Sequence, residues 1–333
     1  GVMVSPAFDE RRFEDVRKDM IRGLRNSVAK RPSSQVIDDL REALLYGEWG
    51  EQALIEALQA LDPEALNAFV AEFWQGAKAE ALLYGNYQPG LVQEVSTLLA
   101  DVVSEDTPPA LPDVKVLKLA AGDSLLYDVE VPHDDAVVAW YLQGRGDSWE
   151  DRAATLLTGQ IMKSGFFQQL RTEQQLGYVV SAFAWPQRDV PGLVMLVQSP
   201  VADAPAILES MDTFMRGVSG DLDEDQFARH RAALLSEIRR PDKNMWERAE
   251  FYWQSIAKKR WEFDGREALA SAVEALSLSD WNAYFKTVFL DQRHSLQVIS
   301  PGKRQKLPEG EDLQRFEDAT AIKAGHAAYV IER

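Results

Sequence analysis

Two side chains in this sequence pair permanent charge with directional hydrogen bonding at close spacing: Arg171 and Tyr178. A guanidinium stays charged at any physiological pH and presents its N–H donors in a fixed fork. A phenol O–H can donate to an oxygen on which negative charge develops. Both lie in residues 160–178, which start as an apolar-faced helix, with Leu157, Ile161 and Leu170 near helical spacing. If the helical turn continues, Arg171 and Tyr178, seven residues apart, share one face. Thr172 with Gln175 three residues later fits a capping box on a short extra turn, and Gly177 suits the left-handed residue that closes one. Such a helix-to-strand corner presents both groups where loops meet ligands. The competing reading of the same residues is a surface arginine and an interfacial tyrosine capping a sheet.

Little else in the chain is suited to covalent or metal chemistry. With no cysteine, thiol catalysis, disulfides and thiolate metal sites are excluded, and the compartment stays open. The four histidines, His133, His230, His294 and His326, are scattered, and none lies in a metal-ligand arrangement. His133, beside Asp134 and Asp135, and His230, on a charged helix face, read as surface residues. The helical spacing of Trp246, Phe251, Tyr252 and Trp253 reads as core packing, and Lys258, Lys259 and Arg260 as a solvated helix end. Asp147, Glu150 and Asp151 fit the start of a helix, where the dipole favours acids.

Length and composition bound the rest. At 333 residues, 46% of them apolar, the chain is long enough for roughly two domains with sizeable cores. A net charge of −17 argues against nucleic acid and against an anionic membrane surface. No apolar run reaches the roughly 18 residues that span a bilayer, so no membrane insertion is expected.

The elements that must position Arg171 and Tyr178 follow from periodicity. Residues 9–30 read as an amphipathic helix stopped by Pro32, with Ser33 or Ser34 capping a second helix that ends near Gly47. Further helices fit 51–60, the stretch after Asp62 and Pro63, and 89–103, with a short apolar strand at 81–84. Pro108, Pro109 and Pro112 mark a linker over 106–115. Strands are expected within 114–144, then the central helix, a hairpin of 178–185 with 193–198, and a helix starting near Pro205. Helices at about 222–239, 243–258, 265–275 and 278–290 and a strand at 295–300 complete the pattern, leaving the tail from Pro301 undetermined.

An internal repeat organises these elements. Residues 61–69 (LDPEALNAF) recur as 276–284 (LSLSDWNAY), Phe13 corresponds to Phe227, and Trp49 to Trp261. A steady shift of about 214 residues is too long for a solenoid unit and indicates a duplicated domain. Residues 116–302 then hold one complete unit and residues 1–105 only its helical half, as in a piece that begins partway through a domain.

Residues 167–178, F-x-x-L-R-T-x-x-Q-L-G-Y, resemble the C-terminal half of the pitrilysin and insulysin type of zinc metallopeptidase, family M16. Residues 80–86, the strand end Val197-Gln198-Ser199 and Phe263-Asp264 share that resemblance, which covers residues 8–300. It implies an α+β fold, a mainly antiparallel sheet packed against helices in an M16 metallopeptidase-like domain, one complete copy plus the helical half of another. The expected division is 1–105 as the mostly helical part of a third domain, 106–115 as linker and 116–333 as the complete fourth. It further implies a C-terminal fragment of a zinc-dependent endopeptidase that degrades peptides in an enclosed chamber. Arg171 would bind a substrate carbonyl, Tyr178 would stabilise the developing oxyanion, and Gly177 would let the backbone turn beside it. The H-x-x-E-H zinc motif of that family is absent. Zinc would therefore belong to an N-terminal half of the same polypeptide, and this part would be inactive alone. The resemblance points to a periplasmic site, with a cytoplasmic one as the alternative. A non-catalytic scaffold and a dedicated precursor-processing peptidase are the alternative functions.

Overall fold

The computed structural model describes residues 9–100, 103, 113–220 and 222–331. It opens with helices α1 (Glu10–Arg25), α2 (Pro32–Leu44), α3 (Glu51–Ala60), α4 (Pro63–Gly76) and α5 (Gly90–Ala100). Strands β1 (Val114–Lys118), β2 (Ser124–Asp128) and β3 (Ala136–Gln143) precede the long helix α6 (Trp149–Phe166), which runs on as a π-helical stretch over Phe167–Glu173. The hairpin β4 (Val179–Ala184) and β5 (Gly192–Ser199) leads into α7 (Ala204–Gly217), α8 (Glu224–Ile238), α9 (Met245–Ala257), α10 (Gly265–Ala275) and α11 (Leu278–Phe285). The chain finishes with β6 (Ser295–Ser300), β7 (Leu313–Phe316), α12 (Ala319–Gly325) and β8 (Ala327–Ile331). No described helix is long and apolar enough to cross a membrane.

Local chemistry sets the helix starts. The carboxylate of Asp62 accepts the Ala65 N–H at 2.8 Å with Pro63 in the first turn, and Ser148 caps α6 through the Asp151 N–H at 3.1 Å. Pro32 does not stop a helix but opens α2, where its fixed φ and missing donor do no harm, and neither serine caps it.

Six strands form one open sheet in the order β4-β5-β3-β6-β2-β7. Pairings β4–β5, β5–β3 and β3–β6 are antiparallel, whereas β2 runs parallel to both β6 and β7, so the sheet is mixed. β3 and β5 are buried along their whole length because both faces of the sheet are covered. On one face Val138, Trp140, Met195 and Val197 pack under Leu157, Ile161 and Phe166 of α6 together with α7, α8 and α11. On the other, Val137, Tyr141, Val194 and Leu196 meet Val36, Leu40 and Leu44 of α2 and Ile322 of α12.

Three expectations need correction. Residues 81–84 form no strand, since no neighbouring strand offers them a ladder. The tail past Pro301 is ordered: β7 extends the sheet, and β8 pairs antiparallel with β1, Val114 opposite Ile331. The expected linker falls mostly outside the described residues, and its last two positions, Val114 and Lys115, already belong to β1.

The helix starts recur in order. α1 to α4 are followed by α8 to α11 at shifts of 214 (10 to 224), 213 (32 to 245), 214 (51 to 265) and 215 (63 to 278). α1 packs on α3 as α8 packs on α10, but α8 and α10 also seat α6, and no described helix of that kind lies against α1 and α3.

Candidate functional site

The corner is built from the core outward. Phe166 and Leu170 are fully buried, and Phe166 meets Phe214 edge-on with ring centroids 5.2 Å apart. With Leu170 pinned inward, the next residue emerges: Arg171 is exposed and has no hydrogen bond or ion pair to any described residue. The wide turn closes where the amides of Gln174 and Leu176 reach the carbonyls of Gln169 and Leu170, both at 3.0 Å.

Helical geometry ends at Glu173, so no helix face carries Arg171 and Tyr178 together, and Thr172 lies inside the π-helical stretch without a capping role. The left-handed residue is Gln175, with φ 54°, not Gly177. Gly177 is required for a different reason. It is buried against β5, and a Cβ there would overlap the backbone carbonyl oxygen of Gln198.

Tyr178, 51% exposed, leads directly into β4. Its hydroxyl donates to Asp135 Oδ2 at 2.6 Å. The Gln198 amide donates to the same carboxylate oxygen at 3.0 Å and also to the Tyr178 oxygen. Gln198 Oε1 in turn accepts the Ser33 N–H of α2 at 3.3 Å, so the first helices reach the phenol through one buried amide. His133 Nδ1 accepts the Asp135 N–H at 3.0 Å. Burial of the phenol, its hydrogen bond to Asp135 and that carboxylate's charge push the Tyr178 pKa up to about 12. Burial also raises Asp135, but the bonds from Tyr178 and Gln198, with the charges of His133 and Lys303, outweigh it and hold this carboxyl below its ordinary value.

Asp135 and Gln198 were not singled out from sequence as functional. The available signal was Gln198, an amide directly after the apolar run 193–197 of β5. The pairing of Tyr178 with Asp135 joins positions 43 residues apart and is set only by sheet order.

No hydrogen bond links Arg171 to Tyr178, and neither lines the cavities of about 810 Å³ and 260 Å³. The larger cavity is lined by His133 and Asp134 and therefore opens beside the Tyr178 network. Acids crowd it, among them Asp39, which burial first and then Glu42, Asp38 and Glu51 push up to about 7. Among the described residues no three His, Asp or Glu side chains converge as metal ligands, so these residues do not fit a zinc site. Trp246 is 77% and Trp253 38% exposed, contrary to the expected core packing. Lys258 and Lys259 are exposed, as expected of a solvated helix end, but Lys258 and Arg260 also ion-pair with Asp189 at 3.1 and 2.9 Å.

Comparison with known proteins agrees with this architecture. Residues 157–253 match the family described as PQQ synthase PqqF-like, C-terminal lobe domain 4. The chain is 29% identical to the insulin-degrading enzyme of Homo sapiens over 315 residues, 89% of this chain and 30% of that protein. It is 24% identical to the insulin-degrading enzyme of Drosophila melanogaster over 307 residues, 88% of this chain and 31% of that protein. It thus spans under a third of the length of these relatives. The crystal structure of pitrilysin shares the fold with a TM-score of 0.88 at 18% identity, over 98% of this chain and 36% of that one. These similarities support a C-terminal M16 peptidase-like domain.

Proposed function

We propose that this chain is the substrate-facing C-terminal part of a zinc-dependent endopeptidase that degrades peptides within an enclosed chamber. Residues 1–105 would be the later, helical part of its third domain, and the chain from β1 onward its fourth, with the linker between them ending before Val114. Arg171 would hydrogen-bond a substrate carbonyl, Tyr178 would donate to the carbonyl oxygen as charge develops on it, and Gly177 would allow the tight approach of the corner to β5. The zinc would be held by the N-terminal half of the same polypeptide, and this segment alone would be inactive. A periplasmic site is proposed with it, and cell fractionation decides between periplasm and cytoplasm.

The observation that carries this reading is Arg171: an exposed guanidinium, unpartnered among the described residues, directly after a fully buried leucine at the corner that also places Tyr178. Such a group is directional and available to a peptide carbonyl. In the intact enzyme Tyr178→Phe should lower kcat on a quenched fluorescent peptide by roughly 10²–10³, the usual effect of losing an oxyanion donor. Arg171→Ala should mainly raise KM. Unchanged turnover in both variants rejects the assignment.

One observation favours a second reading. The Tyr178 proton is directed at Asp135, not at open space. A non-catalytic M16-like scaffold would keep that bond permanently, and the intact protein would then hydrolyse no member of a peptide panel.

A further inference from the structure

A cavity of about 260 Å³ lies where the start of α6, the β4–β5 turn, α9 and α10 come together. Its walls are mostly apolar, supplied by Trp149, Leu156, Pro191, Phe251 and Leu269. Its charged lining is mostly cationic: Arg152, Arg188, Lys258, Arg260 and Arg266 face a single lining carboxylate, Asp189. In a chain of net charge −17 this concentration of cations runs against the composition.

Asp189 cannot balance them. It takes Arg152 at 3.5 Å, Lys258 at 3.1 Å and Arg260 at 2.9 Å, while Arg266 turns to Asp242 at 2.6 Å. Arg188 has no ion pair or hydrogen bond among the described residues. Arg152 and Arg260 both stack on the Trp149 ring, each 4.7 Å from its centroid, which brings two guanidiniums into one small space. The Arg152 side chain is only 12% exposed, and its Nε is buried without a hydrogen-bond acceptor. Burial, followed by the proximity of Arg260, lowers its pKa despite the attraction of Asp189 and Asp147. A buried donor lacking an acceptor is rare in folded proteins and calls for a partner.

We propose that this cavity binds a carboxylate carried on a small apolar body, either a free aryl or alkyl acid or the C-terminal residue of a peptide with an apolar side chain. The planar guanidiniums match a carboxylate. The volume, just under the roughly 300 Å³ at which ordinary ligand pockets begin, suits one aromatic ring with its carboxylate. The proposal does not depend on the peptidase reading.

Isothermal titration of the purified protein with 3-phenylpropionate tests it, set against 3-phenylpropionamide and inorganic phosphate. The acid should bind at least tenfold more tightly than the amide, and phosphate should not bind. Arg152→Gln should weaken acid binding about tenfold. Arg188→Gly, at a position whose φ of 57° suits glycine, should weaken it about threefold without strain. Leu156→Trp should abolish it by filling the space. Thermal melts show which variants remain folded, and Arg188→Gly carries the test if Arg152→Gln does not fold. A short peptide ending in phenylalanine, as free acid and as amide, separates the two sources: tighter binding of the peptide acid than of 3-phenylpropionate assigns the site to peptide C-termini, and the reverse assigns it to free acids. Equal binding of acid and amide, phosphate binding as strong as the acid's, no binding at all, or parental affinity in the folded arginine variants would overturn the proposal.

Discussion

Tyr178 has one proton to donate, and in the folded protein Asp135 accepts it. Serving a substrate oxygen requires that bond to open, so Asp135 governs the availability of the phenol. The phenol pKa lies above its ordinary value, so this bond's stabilisation is complete below about pH 10 and is lost as pH rises through about 12. The Asp135 pKa is depressed, so its stabilisation is complete above the ordinary carboxyl pKa of about 4 and is lost as pH falls through its folded value. Asp135→Asn removes the carboxylate charge but not the burial. The Tyr178 phenolate should then appear at a pH between about 10 and 12, read by phenolate absorbance with Tyr178→Phe subtracted. The corner's two special backbone positions predict opposite effects. Gly177→Ala should destabilise by about 1–3 kcal/mol through its clash with the Gln198 carbonyl. Gln175→Gly should be neutral or stabilise by up to about 1 kcal/mol by relieving the left-handed conformation. Both are measured by chemical denaturation.

At the scale of elements, periodicity made nearly every helix legible, because an apolar stripe reports the face that is buried. What each stripe meets was not legible. The stripe of α2, with Val36, Leu40 and Leu44 fully buried, closes the second face of a sheet whose first strand in the chain, β2, begins some 80 residues later. Leu40→Ala should cost about 2–5 kcal/mol in urea unfolding, as for a core leucine. By pulling Ser33 from Gln198 it should also shift the phenolate titration of Tyr178. An α2 that only decorates the surface would show neither effect. The strand expected at 81–84 failed for a related reason: a short apolar run is indistinguishable from a strand until a partner edge is or is not present.

Across the whole molecule, the two helical sets share spacing but not surroundings. Phe69 and Phe73 stand at the positions of Tyr284 and Val288 under the shift of 215 between α4 and α11. Tyr284 is 9% and Val288 2% exposed, whereas Phe69 is 60% and Phe73 51% exposed. Such contiguous aromatic surface drives association. Light scattering should show concentration-dependent self-association of this chain that Phe69→Ser with Phe73→Ser reduces, while the melting temperature moves little. The equivalent change Tyr284→Ser should lower the melting temperature strongly.

The sequence by itself determined the helical periodicities, the repeat and the R-T-x-x-Q-L-G-Y corner, because each is written in spacing along a single stretch. Only the tertiary structure decided that Tyr178 is bonded to Asp135 and Gln198, that Gln175 rather than Gly177 takes the left-handed turn, and that the tail supplies β7 and β8. It also decided that five cations line one small cavity beside Trp149. Each depends on contacts between residues far apart in the chain, and those contacts arise only when the strands take their order in the sheet.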